Sequence, residues 1–267
     1  MRYRAGGSHP SVGRPSCLFF WGWVWRSRVA ATALGAVATA LVLCGCQSTQ
    51  ERSAELRRAA KHDALTTQGV SVSKENPSVR VLRSTIVRSS SGTAVVVALR
   101  NTSSHALENA PIEVTLRDGH GSALYQNNGS GLEPSLTSVS LLEPGQETIW
   151  IDDQVTASGT PASATALVGE ATTTSTSIPE LSIAGTHLST EAGAEATLSG
   201  GVTNHSQTAQ QNLVVYAVAR RVGKIVAAGR AVLPEVPAAG TNVSFQIYFV
   251  GDPSGAQIQT SAPATTF

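Results

Sequence analysis

Five histidines lie beyond residue 46, at His62, His105, His120, His187 and His205. Histidine is the side chain best suited to proton transfer or metal binding near neutral pH. No two of these stand at an i, i+2 or i, i+4 spacing, and Cys46 is the only cysteine after residue 45, so a zinc site is not expected. Adjacent carboxylates occur at Asp152 and Asp153, with Glu147 upstream. Two carboxylates can divide acid and base roles, but neighbours on a strand point to opposite faces, and the pair reads as a solvated strand end. Asp118-Gly119-His120-Gly121 lacks the further acidic ligands of a calcium loop and reads as a hairpin turn. The strings H-E-x-x-H, G-x-S-x-G, the P-loop and the dinucleotide fingerprint do not occur. No catalytic, metal or cofactor residue is assigned, the protein is read as a non-enzyme, and its ligand-binding residues stay open.

The composition narrows the class. Of 267 residues, 41% are hydrophobic and 14% charged, with a net charge of +1, which excludes a highly charged disordered chain and argues against nucleic acid as a partner. Three cysteines are too few for a disulfide scaffold, and 5% aromatic residues are few for a stacking site. The run from Val29 to Gly45 is small and apolar, follows Arg26 and Arg28, and ends at Cys46. A basic segment, an apolar segment and a small-residue cleavage site, in that order, make a secretory signal. Seventeen residues also reach the short edge of a spanning helix, so a plain signal anchor is the alternative. A start at Val24 would give the compact signal VWRSRVAATALGAVATALVLCG and leave out the apolar CLFFWGWVW.

Leu43-Cys44-Gly45-Cys46 resembles the lipobox of bacterial lipoproteins. The resemblance implies cleavage after Gly45, a diacylglycerol on the Cys46 thiol and a fatty acyl group on its new amine. Membrane lipid is then the first partner, and two or three chains anchor stably where one would not. Gln47, rather than Asp, follows the cysteine. The family pattern then implies the outer membrane where a cell has one, and otherwise the outer face of the plasma membrane. Loss of residues 1–45 leaves fourteen basic and eighteen acidic residues, a net −4, and no possible intramolecular disulfide. In a bacterium the N-x-S/T sites at Asn101, Asn128, Asn204 and Asn242 carry no weight as glycan acceptors.

Residues 46–78 are polar without a sustained apolar stripe and read as a spacer. Beyond them the period is two. Ile112, Val114 and Leu116 alternate with polar residues, as do Val243, Phe245, Ile247 and Phe249. The stretches 94–100, 147–151 and 212–219 add strands rich in β-branched residues, separated by Asp118-Gly119, Pro144-Gly145 and Asp252-Pro253 turns. The expected fold is all-β. The sequence also repeats. At an offset of 103, Asn101 falls on Asn204, Ser103 on Ser206 and Asn109 on Asn212; at 95, Gly145 falls on Gly240 and Trp150 on Phe245. The match with Phe245 makes Trp150 a core residue rather than an exposed anchor. The expected domains are a signal at 1–45, a spacer at 46–78, a first β-sandwich at 79–170, a Thr/Ser linker at 171–178 and a second β-sandwich at 179–267. The extra residues of the first copy fall in the loop Gln126–Val139, the expected partner contact.

Gly200-Gly201-Val202-Thr203-Asn204-His205-Ser206, and in part Leu99-Arg100-Asn101-Thr102-Ser103, resemble FxLYD-type and related immunoglobulin-like modules of bacterial envelope lipoproteins, although the F-x-L-Y-D string itself is absent. The resemblance implies two tandem immunoglobulin-like sandwiches that bind or space, with no catalytic residues to carry over. The Asn and Ser are expected to bond backbone in a turn. The expected function is a lipid-anchored envelope protein acting as an interaction or spacing module, with another cell-envelope protein as its partner. The alternative is a small-ligand or polysaccharide-binding accessory lipoprotein.

Overall fold

Strand-forming runs of two kinds occur in the chain, alternating and continuously apolar, and the layering follows from the difference. The computed structural model describes residues 69–190 and 195–267. The signal, Gly45, Cys46 and the spacer as far as residue 68 lie outside them. The fold is all-β. The first half comprises β1 (Val79–Ser89), β2 (Gly92–Asn101), β3 (Ala106–Arg117), β4 (Ala123–Gln126), β5 (Ser138–Leu142), β6 (Glu147–Asp152), β7 (Ser163–Val168) and β8 (Thr172–Thr174). The second half comprises β9 (Leu181–Ser189), β10 (Thr197–Asn204), β11 (Gln210–Arg221), β12 (Lys224–Val236), β13 (Asn242–Tyr248), β14 (Val250–Gly251) and β15 (Gln257–Ser261).

Every strand pairing is antiparallel. One sheet of the first half runs β1-β2-β6; the other is built on β3, which carries β4 and β7 on its C-terminal half and β5 and β8 on its N-terminal half. The second half has the sheets β9-β10-β13 and β14-β12-β11-β15. The registers correspond. Val96 faces Ile151 and Ala98 faces Ile149 in the first half, while Ser199 faces Gln246 and Gly201 faces Ser244 in the second. Where the second half has the unbroken β12, the first has β4 and β5, with residues 127–137 between them.

β13 alternates, with Phe245 and Ile247 buried and Ser244, Gln246 and Tyr248 exposed; one side of its sheet is core and the other is solvent. β2 and β11 differ, because Ala94 to Leu99 and Leu213 to Ala219 are all buried. In β11, Leu213, Val215, Ala217 and Ala219 pack into the second half's own core. Val214, Tyr216 and Val218 instead join Ala228 and Val250 in the cluster that holds β2, β6 and the inner face of β3. The β1-β2-β6 sheet therefore lies on the β11–β12 sheet, and four sheets stack in sequence. Apolar residues on both faces of a strand require cover on both faces. The first half's core thus continues across the joint, while the second half keeps a core of its own on the far side of β11.

Two expected boundaries shift for local reasons. The linker at 171–178 is not free, because Thr172–Thr174 pairs with Ala106–Glu108; three successive β-branched threonines favour an extended strand. The end of the spacer at 46–78 also joins the fold. Asn76 N–H donates to Val168 O (2.8 Å), Val72 N–H donates to Glu113 Oε2 (2.9 Å), and Glu75 bridges Gly169. No apolar stripe was needed, since backbone groups make the attachment.

The repeated Asn-x-Ser turns match atom for atom. Asn101 Nδ2 donates to His105 O and Leu142 O, and Asn204 Nδ2 to Thr208 O and Val236 O. Ser103 N and Ser206 N each donate back to the Asn Oδ1, and Gly145 N and Gly240 N each donate to the Asn O. Both asparagines are fully buried. Asn204→Ala leaves two buried carbonyls and one amide without these partners, and is expected to lower stability by about 1–3 kcal/mol, read as a lower denaturant midpoint.

Candidate functional site

Among the described residues, a connected set of charged and polar groups sits at the end of β6, where the two halves meet. Asp152 and Asp153 point to opposite sides of the strand, and neither is a solvated strand end. Asp152, 0% exposed, turns into the first half and accepts a 2.5 Å hydrogen bond from the Tyr125 hydroxyl and one from Gln154 N. Burial pushes its carboxyl up, and those two donors work against the shift. Asp153 turns towards the second half, where its Oδ1 accepts from Arg230 Nε and its Oδ2 from Arg230 N, both at 3.1 Å.

Arg230 is the centre of the cluster. Its side chain is 3% exposed, and Nη2 reaches Glu133 Oε2 and Nη1 reaches Ser135 Oγ, each at 2.7 Å. Burial opposes its charge, and the carboxylates of Glu133 and Asp153 outweigh that, holding the guanidinium pKa above its ordinary value. Glu133 and Ser135 come from the loop between β4 and β5. That loop is folded inward: Asn127 bonds Val114 N, Ile112 O and Leu136 O, Leu136 is fully buried, and Trp150 Nε1 donates to Ser135 O. Part of the segment expected as a partner contact is therefore an internal clasp, while residues 128–131 of it stay exposed. Exchanging it for a short turn removes two of the partners of Arg230, so the consequence falls on folding.

Beside the clasp lies a cleft of about 310 Å³, lined by Asn109, Ser135, Ser138, Asn212 and Tyr216 among others. Asn109 and Asn212 are equivalent residues of the two halves, and both take left-handed backbone, with φ of 51° and 50°. Asparagine tolerates that conformation better than most residues. The lining mixes hydroxyl and amide groups with the apolar surface of Pro134 and Val214 and the Glu133 carboxylate, and its polar groups are able to exchange hydrogen bonds with a small polar ligand.

The remaining candidates stand apart. Asp118 Oδ1 accepts from His120 N and Ser122 N, closing the β3–β4 hairpin. His105 bonds Ser104, and His205 bonds Ser182. No three His, Cys, Asp or Glu side chains converge among the described residues. Trp150 is fully buried. Sequence reasoning missed Arg230, Glu133 and Tyr125. The signal for Arg230 was present: it is the last basic residue of the chain, set alone within the apolar run Ile225 to Leu233, where a charge needs a partner. No protein-family profile matches the chain, and no curated protein does.

Two measurements test the cluster. Arg230→Met leaves Asp153 without its cation and is expected to lose about 3–5 kcal/mol of stability, with Asp153→Asn in the same chain restoring part of it. Separately, burial holds the Tyr216 phenol well above its ordinary value near 10. The unfolded chain then gives up its phenolic proton first as pH rises, so stability is intact below about pH 10 and falls above it, at up to about 1.4 kcal/mol per pH unit for one protected phenol. Tyr216→Phe is expected to flatten an alkaline denaturation profile.

Proposed function

We propose that this chain is a lipid-anchored bacterial cell-envelope protein, held by acyl groups on Cys46, that acts as a non-enzymatic interaction or spacing module of two immunoglobulin-like sandwiches. The observation that carries the reading is the pairing of a lipobox-like Leu43-Cys44-Gly45-Cys46 with a stack of sheets whose central charges are engaged in internal bonds. Arg230, Asp153 and Glu133 hold the halves together and Asp152 is closed by Tyr125, so these charged groups serve the packing of the stack.

Backbone edges are what the stack offers outward. β9 pairs only with β10 among the described strands and is largely exposed. Such an edge can accept a strand from a neighbouring protein. The cleft at Asn109 and Asn212, with its hydroxyl and amide groups, favours a second reading, a small polar or saccharide ligand held between the halves. The two part on what accompanies the protein out of the membrane: a crosslinked neighbour for the first, a bound polyol for the second.

Fatty-acid labelling of cells expressing the wild type beside Cys46→Ala tests the anchor. Label on the wild type alone, with an intact mass beginning at a diacylated Cys46, is the expected result. Equal labelling of both, or of neither, would exclude the anchor and with it the envelope reading.

A further inference from the structure

The described residues expose four large apolar side chains, Val81, Leu82, Val222 and Tyr248; Leu82 lines a hollow beside the turn that carries Val222. Leu82 sits in a bulge of the edge strand β1, where the register against β2 shifts between Val81 and Arg83. A bulge on an edge strand re-aims the residue it extrudes. Leu82 and Arg83 line a hollow of about 290 Å³ together with Arg220, Gly223 and Ile225 of the β11–β12 hairpin. Val222 is the first residue of that hairpin's two-residue turn, between the paired Arg221 and Lys224.

Val222 is 97% exposed and has φ of 49°. A two-residue turn of this kind takes Asn or Asp at that position without strain, and a β-branched residue there is a genuine outlier. A fully exposed isopropyl group gains nothing from folding, so both the strain and the exposure lack a folding cause.

The charges around these apolar residues are positive. Arg80, Arg83, Arg220 and Lys224 have no ion pair among the described residues, while Arg221 is engaged by Asp252 and by the carbonyl of Ser254. The one carboxylate on the hollow, Glu147, faces Arg100 at 4.0 Å. A protruding valine and a leucine framed by unpaired cations match a deformable anionic surface, in which phosphates meet the cations and the apolar tips enter between headgroups. Twenty-two residues, 47–68, separate Cys46 from the first described residue, and at full extension they reach about 75 Å, ample for the stack to turn this patch to its own membrane.

We propose that the β11–β12 hairpin tip and the β1 bulge form a docking surface for anionic phospholipid. Val222 and Leu82 enter the boundary between headgroups and acyl chains, and Arg83, Arg220 and Lys224 pair with lipid phosphates. The assignment of that surface to the protein's own membrane rests on the anchor at Cys46; the affinity for anionic lipid does not.

The test uses the acylated protein in nanodiscs with brominated acyl chains, carrying an environment-sensitive fluorophore at Val222→Cys. A control label at Thr241→Cys marks the opposite end of β11, twelve residues or about 40 Å away. Quenching at position 222 in phosphatidylglycerol–phosphatidylcholine discs, its absence in pure phosphatidylcholine and its absence at position 241 are expected. Arg83→Ala and Lys224→Ala should each weaken the partition about fivefold. Equal quenching at the two positions, or quenching indifferent to anionic lipid, overturns the proposal. So does a signal that follows protein density alone, which would mark contact between copies. If intact mass shows no acyl group on Cys46, the anchor reading fails by itself. The labelled chain with Cys17→Ser, Cys44→Ser and Cys46→Ser is then mixed with vesicles of the same two compositions, where quenching selective for anionic lipid upholds the surface and its absence overturns it.

Discussion

A strand with apolar side chains on both faces has no face to give to water, and β2 and β11 are both of this kind. Val95, Val97 and Leu99 fill the first sandwich, while Val96 and Ala98 look out of it towards the β11–β12 hairpin. Val215 and Ala217 fill the second sandwich, while Val214, Tyr216 and Val218 look out of it. Each outward set covers the other. From that mutual cover follow the four-sheet stack, the burial of Ile149 and the position of the β4–β5 loop over the joint.

Apolar cover is non-directional and by itself tolerates sliding. The polar cluster at the end of β6 supplies what it lacks. The guanidinium of Arg230 presents donors in a fixed fork, and carboxylates from β6 and from the β4–β5 loop meet it from two sides. Buried ion pairs add little net stability compared with well-packed apolar residues, but they admit few alternative arrangements. Here the cluster fixes one register between the halves, and the Tyr125–Asp152 and Trp150–Ser135 bonds brace the strand that carries it.

Much of this was legible in the sequence and some was not. The alternation at Phe245 and Ile247 identifies a strand with one wet face, and the repeated Asn101 and Asn204 identify equivalent turns. The run 94–99 was legible as a strand, but periodicity cannot say what covers a second apolar face, so the apolar joint between the halves went unread. Asp153 resembled a solvated strand end because its partner lies far along the chain, on β12. The threonines after Ala171 looked like a linker because composition does not distinguish a flexible tract from an edge strand with a partner. The same blindness to distant partners hid the inward bonds of Glu133 and Ser135, on a loop whose residues 128–131 stay exposed.

The joint is heterologous: the first half presents its β1-β2-β6 sheet, whereas the second presents its β11–β12 sheet, the counterpart of the one built on β3. Head-to-tail contacts of this sort close into rings, or extend into filaments where the rotation between copies does not close. The positions that make the joint on the first half are Val96, Ala98, Ile149 and Ile151; their counterparts on the free end of the second half are Ser199, Gly201, Ser244 and Gln246. On β3, Pro111, Glu113 and Thr115 stand where the second half has Val214, Tyr216 and Val218, and Glu113 there takes the Val72 amide. Neither outer surface therefore repeats the apolar set of side chains with which the joint is made.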